Sequence, residues 1–219
     1  MPDYYIYSLG FVAQALFSAR LLIQWWRSEK AGKVISPTIF WQLSVFASFL
    51  LIVYGMLRND FVIIGGQVIG YFIYIRNLRF KQAWSYIPLW FRILTLSFPV
   101  IAFAWLWWGD IHSFQYIVEN NDIPTGLFVW GSAAQIIFVL RFVYQWIISE
   151  RMNKSVLPLG FWIISASGSA MIITYAIFRS DPVLFLGHIF GLAIYLRNIF
   201  LIAKSVKELK ITNQISKNS

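Results

Sequence analysis

The chain has 219 residues, of which 59% are hydrophobic and 12% are charged, too few polar side chains to cover the surface of a water-soluble globule. It contains no cysteine, which excludes disulfides, thiolate nucleophiles and cysteine-ligated metals. The formal net charge of +9 would suit nucleic-acid binding, but the basic residues fall between long apolar segments. Membrane topology therefore explains the charge better.

Seven apolar segments of membrane-spanning length follow one another along the chain. A helix needs about 20 residues to cross roughly 30 Å of hydrocarbon. Segments of that length lie near residues 4–26, 37–57, 61–80, 87–108, 124–148, 158–178 and 182–203. The sequence predicts an all-α integral membrane protein with seven transmembrane helices. The N-terminal residues lack the basic region of a signal peptide, so we expect the first segment to be retained.

Lysine and arginine residues separate to one side of the predicted membrane. Most of them follow the first, third, fifth and seventh segments: Arg27, Lys30, Lys33, Arg76, Arg79, Lys81, Arg151, Lys154, Arg197, Lys204, Lys207 and Lys210. The opposite loops contain Arg58 and Arg179, together with acidic Asp110, Glu119 and Asp122. By the positive-inside rule, we predict an N-terminus outside and a cytoplasmic C-terminus.

The sequence repeats itself with an offset of 121 residues. Residues 10–77 align without a gap to residues 131–198, and 26 of the 68 aligned positions are identical, which indicates an internal duplication. A three-helix unit ends on the opposite side of the membrane from its start. The unmatched segment at 87–108 restores the direction, so the two copies are predicted to be parallel. We predict a first repeat at 1–81, a linker helix and outer loop at 82–123, a second repeat at 124–203 and a basic tail at 204–219.

The first helix of each copy carries a polar stripe that includes an arginine. Its repeated residues fall within an arc of about 140° on a helical wheel and are expected to face inward; in the first copy they are Gln14, Phe17, Arg20, Gln24, Trp25 and Ser28. The arginine either binds a phosphate or carboxylate through paired N–H donors or extends to lipid phosphates. The stripe supplies these predicted substrate-binding residues: Gln14, Arg20, Gln24, Gln135, Arg141 and Gln145.

Polar and aromatic residues also repeat on the second and third helices. Gln67 is matched by His188; we expect the two to face a shared central cavity, or to form a helix–helix hydrogen bond. Trp41 and Trp162 either stack on a sugar or form an aromatic belt at the membrane interface, and the belt is favoured. The remaining predicted substrate-binding residues are Tyr74, Asn77, Tyr195 and Asn198.

Other repeated residues predict salt bridges and helix packing. Glu29 and Glu150 precede Lys33 and Lys154 by four positions, which indicates a surface salt bridge or a polar gate. Small residues spaced four apart favour close helix packing; they are Ser44, Ser48, Ser165, Ser169, Gly66, Gly70, Gly187 and Gly191. The sequence shows no recognisable catalytic constellation, and we expect no metal site and no cofactor.

The repeated pattern resembles the lipid A biosynthesis N-terminal domain family. Read from Gln14 to Asn77, it is Q-x5-R-x3-QW-x2-SE, P-x2-FW-x2-S-x3-S, D and G-x3-G-x3-Y-x-RN, and the second copy carries it too. That family is similar to PQ-loop, SWEET and semiSWEET proteins, although Pro37 here is followed by Thr38 and the Pro–Gln dipeptide is absent. The resemblance implies a SWEET-like 3+1+3 arrangement in a bacterial inner membrane, among envelope glycolipids and polyprenyl-phosphate sugars.

Together these observations predict a transporter or flippase for a lipid-linked sugar or glycolipid precursor, bound between the two copies, and not an enzyme. Two alternatives remain: a SWEET-like facilitator of a soluble sugar or small solute, and a non-catalytic membrane subunit for a partner glycosyltransferase. The expected partners are membrane lipids, a polyprenyl-phosphate sugar or lipid A precursor, and such a glycosyltransferase. No nucleic acid is expected.

Overall fold

The computed structural model describes residues 3–57, 61–108, 124–178, 180 and 182–218. Within these ranges the chain has seven helices and no strand. They are α1 (Asp3–Ala31), α2 (Thr38–Leu57), α3 (Phe61–Phe80), α4 (Leu89–Trp108), α5 (Thr125–Met152), α6 (Leu159–Phe178) and α7 (Pro182–Asn218). The prediction of an all-helical chain is confirmed.

Four segments of the described helices are long and apolar enough to cross a membrane: Thr38–Leu57, Thr125–Met152, Leu159–Phe178 and Phe185–Glu208. Many large apolar side chains are exposed on these helices, among them Phe46 at 50%, Ile163 at 47% and Phe190 at 68%. Such faces are expected where helices meet lipid and not water. The chain is a membrane protein, while three further spans and the orientation of the termini stay predictions.

Two helices end just before the lysines that the predicted salt bridges require. Gly32 follows α1 with a φ of 62°, and Asn153, its match in the second copy, follows α5 with a φ of 49°. Glycine and asparagine adopt this left-handed conformation most readily, and it commonly terminates a helix. Lys33 and Lys154 therefore lie outside the helices, where the i,i+4 relation to the preceding glutamates no longer holds.

The last helix is longer than the predicted seventh span. α7 continues to Asn218, well beyond the predicted end at residue 203, so the basic stretch predicted as a tail is helical. Within it, the Nζ of Lys204 lies 3.8 Å from Oε1 of Glu208, one helical turn away. Because both side chains are largely exposed, this ion pair contributes little to stability.

The chain forms two compact units, and α1 contributes to both. Unit 1 comprises Met1–Arg20, Thr38–Pro124 and Met152–Ser155, and unit 2 comprises Leu21–Pro37, Thr125–Arg151 and Val156–Ser219. In unit 1, α2 packs along α3, and α4 contacts both of them. In unit 2, α6 packs along α7. The matched arginines, Arg20 and Arg141, consequently belong to different units.

One face of the second helix in each copy forms much of the core. The buried residues of α2 are Phe40, Trp41, Ser44, Val45, Ala47, Ser48, Leu51, Ile52 and Gly55. Those of α6 are Phe161, Trp162, Ser165, Gly168, Ser169, Ile172 and Ala176. Recurrence every three or four positions places each set on one side of its helix. These two faces position the polar residues described below.

The repeated glycines make room for a tyrosine of their own helix. A Cβ at Gly70 would lie 3.0–3.3 Å from ring atoms of Tyr74, and one at Gly191 would lie 3.2–3.4 Å from those of Tyr195. The close contact is therefore with a ring one turn away, and not with the backbone of another helix as predicted. A Cβ at Gly187 would meet no described atom within 4 Å, and the surroundings of Gly66 lie outside the described residues.

Candidate functional site

In unit 1 a buried arginine of α1 is enclosed by aromatic rings. Arg20 is 4% exposed, and its Nη1 donates a hydrogen bond to Oγ of Ser44 at 2.5 Å. Its guanidinium carbon lies 4.4 Å from the ring centroid of Phe17, 5.0 Å from that of Phe40 and 5.3 Å from that of Tyr74. Because ring faces carry partial negative charge, they stabilise a cation that is removed from water.

In unit 2 the matched arginine lies against the match of Phe17 and against one further ring. Arg141 is 8% exposed, and its guanidinium carbon lies 3.2 Å from the ring centroid of Phe138 and 4.7 Å from that of Phe142. Both rings belong to α5 itself. Phe142 occupies the position that Leu21 has in the first copy. A ring directly after the arginine is therefore present in the second copy and absent from the matched position of the first.

A fully buried tryptophan packs near the third helix of each copy. Trp41 and Trp162 are 0% exposed, and their ring centroids lie 6.0 Å from those of Tyr74 and Tyr195, respectively. Full burial contradicts the favoured aromatic-belt interpretation, because belt residues face the membrane–water interface. Among the described residues, Nε1 of Trp162 has no hydrogen-bond partner.

The residue that differs between the third helices bonds to a matched serine in each unit. Oγ of Ser48 donates to Oε1 of Gln67 at 2.9 Å, and Oγ of Ser169 lies 3.0 Å from Nδ1 of His188. The His188 ring also meets the Phe138 ring edge-on, with 4.9 Å between centroids. The sequence pattern predicted these serines as small residues that favour helix packing. The structure shows that they are also hydrogen-bonding partners.

The other repeated serine pair bonds to its own helix. Ser44 and Ser165 each donate to the carbonyl oxygen four residues earlier, on Phe40 and Phe161, at 2.6 Å. This bond uses the only hydroxyl proton and leaves the oxygen lone pairs available as acceptors. In the first copy, Arg20 uses that acceptor.

The repeated glutamines of the first helices fix the loop that follows each of them. Nε2 of Gln24 lies 2.9 Å from Oγ of Ser28 and 3.4 Å from the carbonyl oxygen of Ile35. Gln145 makes the two matched contacts, each at 2.8 Å. The serine in turn accepts the N–H of the same loop residue, at 3.1 Å in the first copy and 3.2 Å in the second. Both glutamines are fully buried and hold the loop, while their contact with a substrate stays a prediction.

One amide pair joins α1 to α7 within unit 2. Nε2 of Gln24 donates to Oδ1 of Asn198 at 2.9 Å, and Nδ2 of Asn198 lies 3.3 Å from Oε1 of Gln24. Asn198 also donates to the carbonyl oxygen of Ile194 at 2.9 Å. In unit 1, Asn77 donates to the matched carbonyl, that of Ile73, at 2.9 Å. Both asparagines are fully buried, so they too support helix packing.

Arg197, and not Lys33, is the ion-pair partner of Glu29 in the described part of the chain. Nε of Arg197 bonds to Oε1 of Glu29, and Nη2 bonds to Oε2 at 2.9 Å, a bidentate charge-assisted pair. Nε1 of Trp25 also donates to Oε1 of Glu29, at 3.1 Å. The hydrogen bond from Arg197 lowers the pKa of Glu29 below its ordinary value, which favours the charged carboxylate.

The remaining predicted residues lie apart from the arginines. Gln14 and Gln135 are exposed on α1 and α5, so the polar stripe does not face inward along its whole length. Glu150 accepts a hydrogen bond from Nε1 of Trp146 at 2.8 Å, as its match does in the first copy. The predicted gate residues therefore take part in local bonding at the ends of α1 and α5.

Sequence reasoning missed three of the rings that contact the arginines. Phe40, Phe138 and Phe142 contact a guanidinium, yet none of them is in the predicted site. A usable signal exists, because a phenylalanine stands three positions before the arginine in both copies. On a helix that spacing brings the two side chains together.

Both copies of the repeat match a known family. The Lipid A Biosynthesis N-terminal domain matches residues 9–79 and again residues 130–200. The chain belongs to the Lipid A Biosynthesis N-terminal domain family. The two matches are displaced by the same 121 residues as the internal repeat, and the resemblance seen in the sequence is confirmed.

Relatives of the chain carry the name of an enzyme. The chain is 31% identical over 208 residues to a lipid-A-disaccharide synthase of Chlamydia pneumoniae, covering 92% of this chain and 34% of that protein. Proteins of the same name from Chlamydia felis and Chlamydia muridarum are 28% and 30% identical over 91% and 82% of the chain, which covers 33% and 31% of their lengths. The chain thus spans about a third of the length of these relatives. No solved structure matches the chain.

These relatives overturn the function predicted from the sequence. The prediction of a transporter or flippase, with a facilitator or a non-catalytic subunit as alternatives, is wrong, and so is the prediction that the chain is not an enzyme, because the relatives are named as synthases. The inference failed because a parallel three-helix repeat specifies an architecture and not an activity. The relation to PQ-loop and SWEET proteins finds no support.

Proposed function

We propose that this chain acts in lipid-A-disaccharide synthesis, as the membrane-embedded part of an enzyme of that class. The alignment with a lipid-A-disaccharide synthase over 92% of the chain carries this proposal. Helices that are long and apolar enough to cross a membrane support it, since the product named for the relatives is a lipid.

As the membrane-embedded part of a synthase, the chain would meet a lipid substrate within the bilayer. Each buried CH₂ group of an acyl chain contributes about 0.8 kcal/mol to membrane anchoring, so an acylated sugar stays in the bilayer. A protein segment in the same bilayer meets that sugar at a raised effective concentration. Buried cations such as Arg20 and Arg141 suit the head group, because a guanidinium pairs well with phosphate.

Disaccharide formation in isolated membranes tests the function. Membranes are prepared from a strain that contains the chain, from a strain that lacks it, and from the latter after the gene is restored. We expect the conversion of labelled acylated monosaccharide precursors to disaccharide to fall by about tenfold or more without the chain and to recover on restoration. Recovery with Phe190→Leu, a change at an exposed apolar side chain, is the matched control. Unchanged disaccharide formation without the chain would overturn the proposal.

The proposed orientation follows from the basic loops. We infer a 3+1+3 arrangement in the inner membrane, with the N-terminus outside and the C-terminus in the cytoplasm. Because the chain has no cysteine, single-cysteine variants report the side of the membrane cleanly. In spheroplasts, an impermeant maleimide is expected to label Glu119→Cys at once and Lys33→Cys only after permeabilisation. The reverse labelling pattern contradicts the orientation.

A further inference from the structure

The corner between α3 and α4 carries positive charge without negative charge. Between residues 61 and 108 the sequence contains four cations and no aspartate or glutamate. Three of the cations, Arg79, Lys81 and Arg92, lie in the corner, which we define as residues 79–92 at the end of α3, in the loop and in the first turn of α4. Any counter-ion for them must therefore come from outside this stretch of the chain.

Backbone hydrogen bonds fix the shape of the corner. The N–H groups of Ala83 and Trp84 both bond to the carbonyl oxygen of Leu78, at 3.1 and 3.3 Å. The N–H of Ile87 bonds to the carbonyl oxygen of Trp84, also at 3.3 Å. The Trp84 side chain is buried, and its ring centroid lies 5.8 Å from the guanidinium carbon of Arg79. The loop is therefore folded back onto the end of α3.

Two cations of the corner are partly removed from water without a described counter-ion. Burial lowers the pKa of Lys81, and no carboxylate in the described part of the chain offsets this effect. Nε of Arg92 is buried and has no hydrogen-bond partner among the described residues. Removing a charged group from water is unfavourable unless an opposite charge or an acceptor replaces the water. The two side chains therefore suit an external anion with acceptor oxygens.

Exposed aromatic side chains accompany these cations. Tyr86 in the loop is 87% exposed, and Trp90 at the start of α4 is 68% exposed. Tryptophan and tyrosine are enriched where hydrocarbon meets lipid head groups, because each has an apolar ring and a polar N–H or O–H. α3 and α4 each have 20 residues, enough to cross the hydrocarbon, so the corner between them is expected at the membrane surface.

We propose that the α3–α4 corner binds the head groups of anionic phospholipids through Arg79, Lys81 and Arg92. Phosphate oxygens supply both the negative charge and the hydrogen-bond acceptors that these side chains lack. The planar guanidinium of an arginine pairs with two such oxygens, and the lysine ammonium adds a compact positive charge. Anionic lipids attract basic side chains at the membrane surface in the same way.

The second copy has no such corner. Its third helix, α7, continues without a turn through the matched positions. Phe200 and Ile202 stand there in place of Arg79 and Lys81. The proposed lipid-binding surface is therefore a feature of the first copy and of the unmatched helix α4 that follows it.

Lipid binding to the purified full-length chain in a neutral detergent tests the proposal. Phosphatidylglycerol and phosphatidylcholine with the same acyl chains are titrated separately, and native mass spectrometry measures the Kd of each. We expect wild type to prefer phosphatidylglycerol by about tenfold or more. Lys81→Gln and Arg92→Gln should each reduce this preference by about fivefold, the equivalent of about 1 kcal/mol for one basic residue.

Lys204→Gln is the charge-matched control. It removes one positive charge from an exposed side chain that lies beside Glu208, and it should change the preference by less than about twofold. In phosphatidylcholine alone, Arg92→Gln should not lower the melting temperature, because its Nε makes no described hydrogen bond. A lower melting temperature there would assign Arg92 a structural role and overturn its place in the surface.

The remaining outcomes are equally decisive. Equal Kd values of the two phospholipids for wild type would overturn the proposal. Equal losses in Lys81→Gln and Lys204→Gln would also overturn it, because they would show an effect of net charge alone. Tighter binding of an acylated hexose phosphate than of phosphatidylglycerol would overturn the choice of a phospholipid. None of these results depends on disaccharide formation, so this proposal and the proposed function can fail separately.

Discussion

The two copies of the repeat share their structural bonds but differ around the arginine. Both arginines lie against the phenylalanine three positions earlier, Phe17 or Phe138. Arg20 also bonds to Ser44 and contacts two rings of other helices, whereas the other ring beside Arg141 is Phe142 of its own helix. The glutamine that fixes the following loop, by contrast, makes matched contacts in both copies. After duplication, the residues that build the helical frame kept their geometry, while the surroundings of the buried cation changed.

This difference indicates a division of roles between the copies. In the first copy the guanidinium of Arg20 donates to Oγ of Ser44 on the neighbouring helix. In the second copy a buried indole donor, that of Trp162, is left over. Substitutions at matched positions test whether the copies differ in this way.

The largest effect on stability is expected from the glutamines that both copies share. Gln24→Leu removes the contacts with Ser28, Ile35 and Asn198 and leaves buried partners unsatisfied, which should cost about 2–4 kcal/mol. Gln145→Leu should be destabilising by a similar amount. Reversible unfolding in detergent micelles measures the free energy of unfolding of both variants. A loss below about 1 kcal/mol in either variant would contradict the assigned structural role.

The serine next to the arginine should matter more in the first copy. Ser44→Ala removes the acceptor of a buried guanidinium and should cost about 1.5–3 kcal/mol. Ser165 bonds only to the carbonyl of its own helix among the described residues, so Ser165→Ala should cost less than about 1 kcal/mol. Equal losses in the same unfolding measurement would show that the two arginine sites are alike.

Exchanging the residues that differ on the third helices should have a small effect. His188→Gln and Gln67→His each keep a side chain that can bond to the matched serine, so stability should change by less than about 1 kcal/mol. The melting temperature of each variant gives the comparison. A loss of stability above about 2 kcal/mol in either variant would mean that the two positions are not equivalent in structure.

The smallest effect is expected at the exposed ion pair of Glu29. Because its native pKa lies below the ordinary value of 4.5, the carboxylate contributes stability above about pH 4.5, and this contribution is lost as the pH falls through the lowered native pKa. Glu29→Gln should lower the melting temperature slightly at pH 7 and weaken its decline between pH 5 and pH 3. Melting curves across this range provide the measurement. Identical pH profiles would contradict the ion pair with Arg197.

Much of the fold was readable from the sequence because apolar length and self-similarity are strong signals. All seven segments correspond to helices, and the duplicated region coincides with the two family matches. The ends of α1 and α5 were misjudged, although Gly32 gave a local signal for termination. Spacing alone cannot show that Gln24 bonds to Asn198, 174 positions away, because such contacts depend on how helices pack.

The candidate site was less predictable than the fold. The arginines, the tryptophans, Phe17 and Tyr74 were identified as repeated residues, but Phe40 and Phe142 were not placed in the site, since the direction of a long side chain depends on neighbouring helices. The Leu21 and Phe142 positions show how one difference in sequence changes the ring partners of a matched arginine. The predicted transport function was wrong for another reason. A bundle of membrane-spanning helices indicates where a substrate would be met, but it does not indicate which reaction takes place.

Disaccharide formation in isolated membranes tests most directly the central claim, that the chain acts in lipid-A-disaccharide synthesis. We predict that formation of the disaccharide falls by about tenfold or more in membranes that lack the chain and recovers when its gene is restored. Unchanged disaccharide formation without the chain would contradict this account.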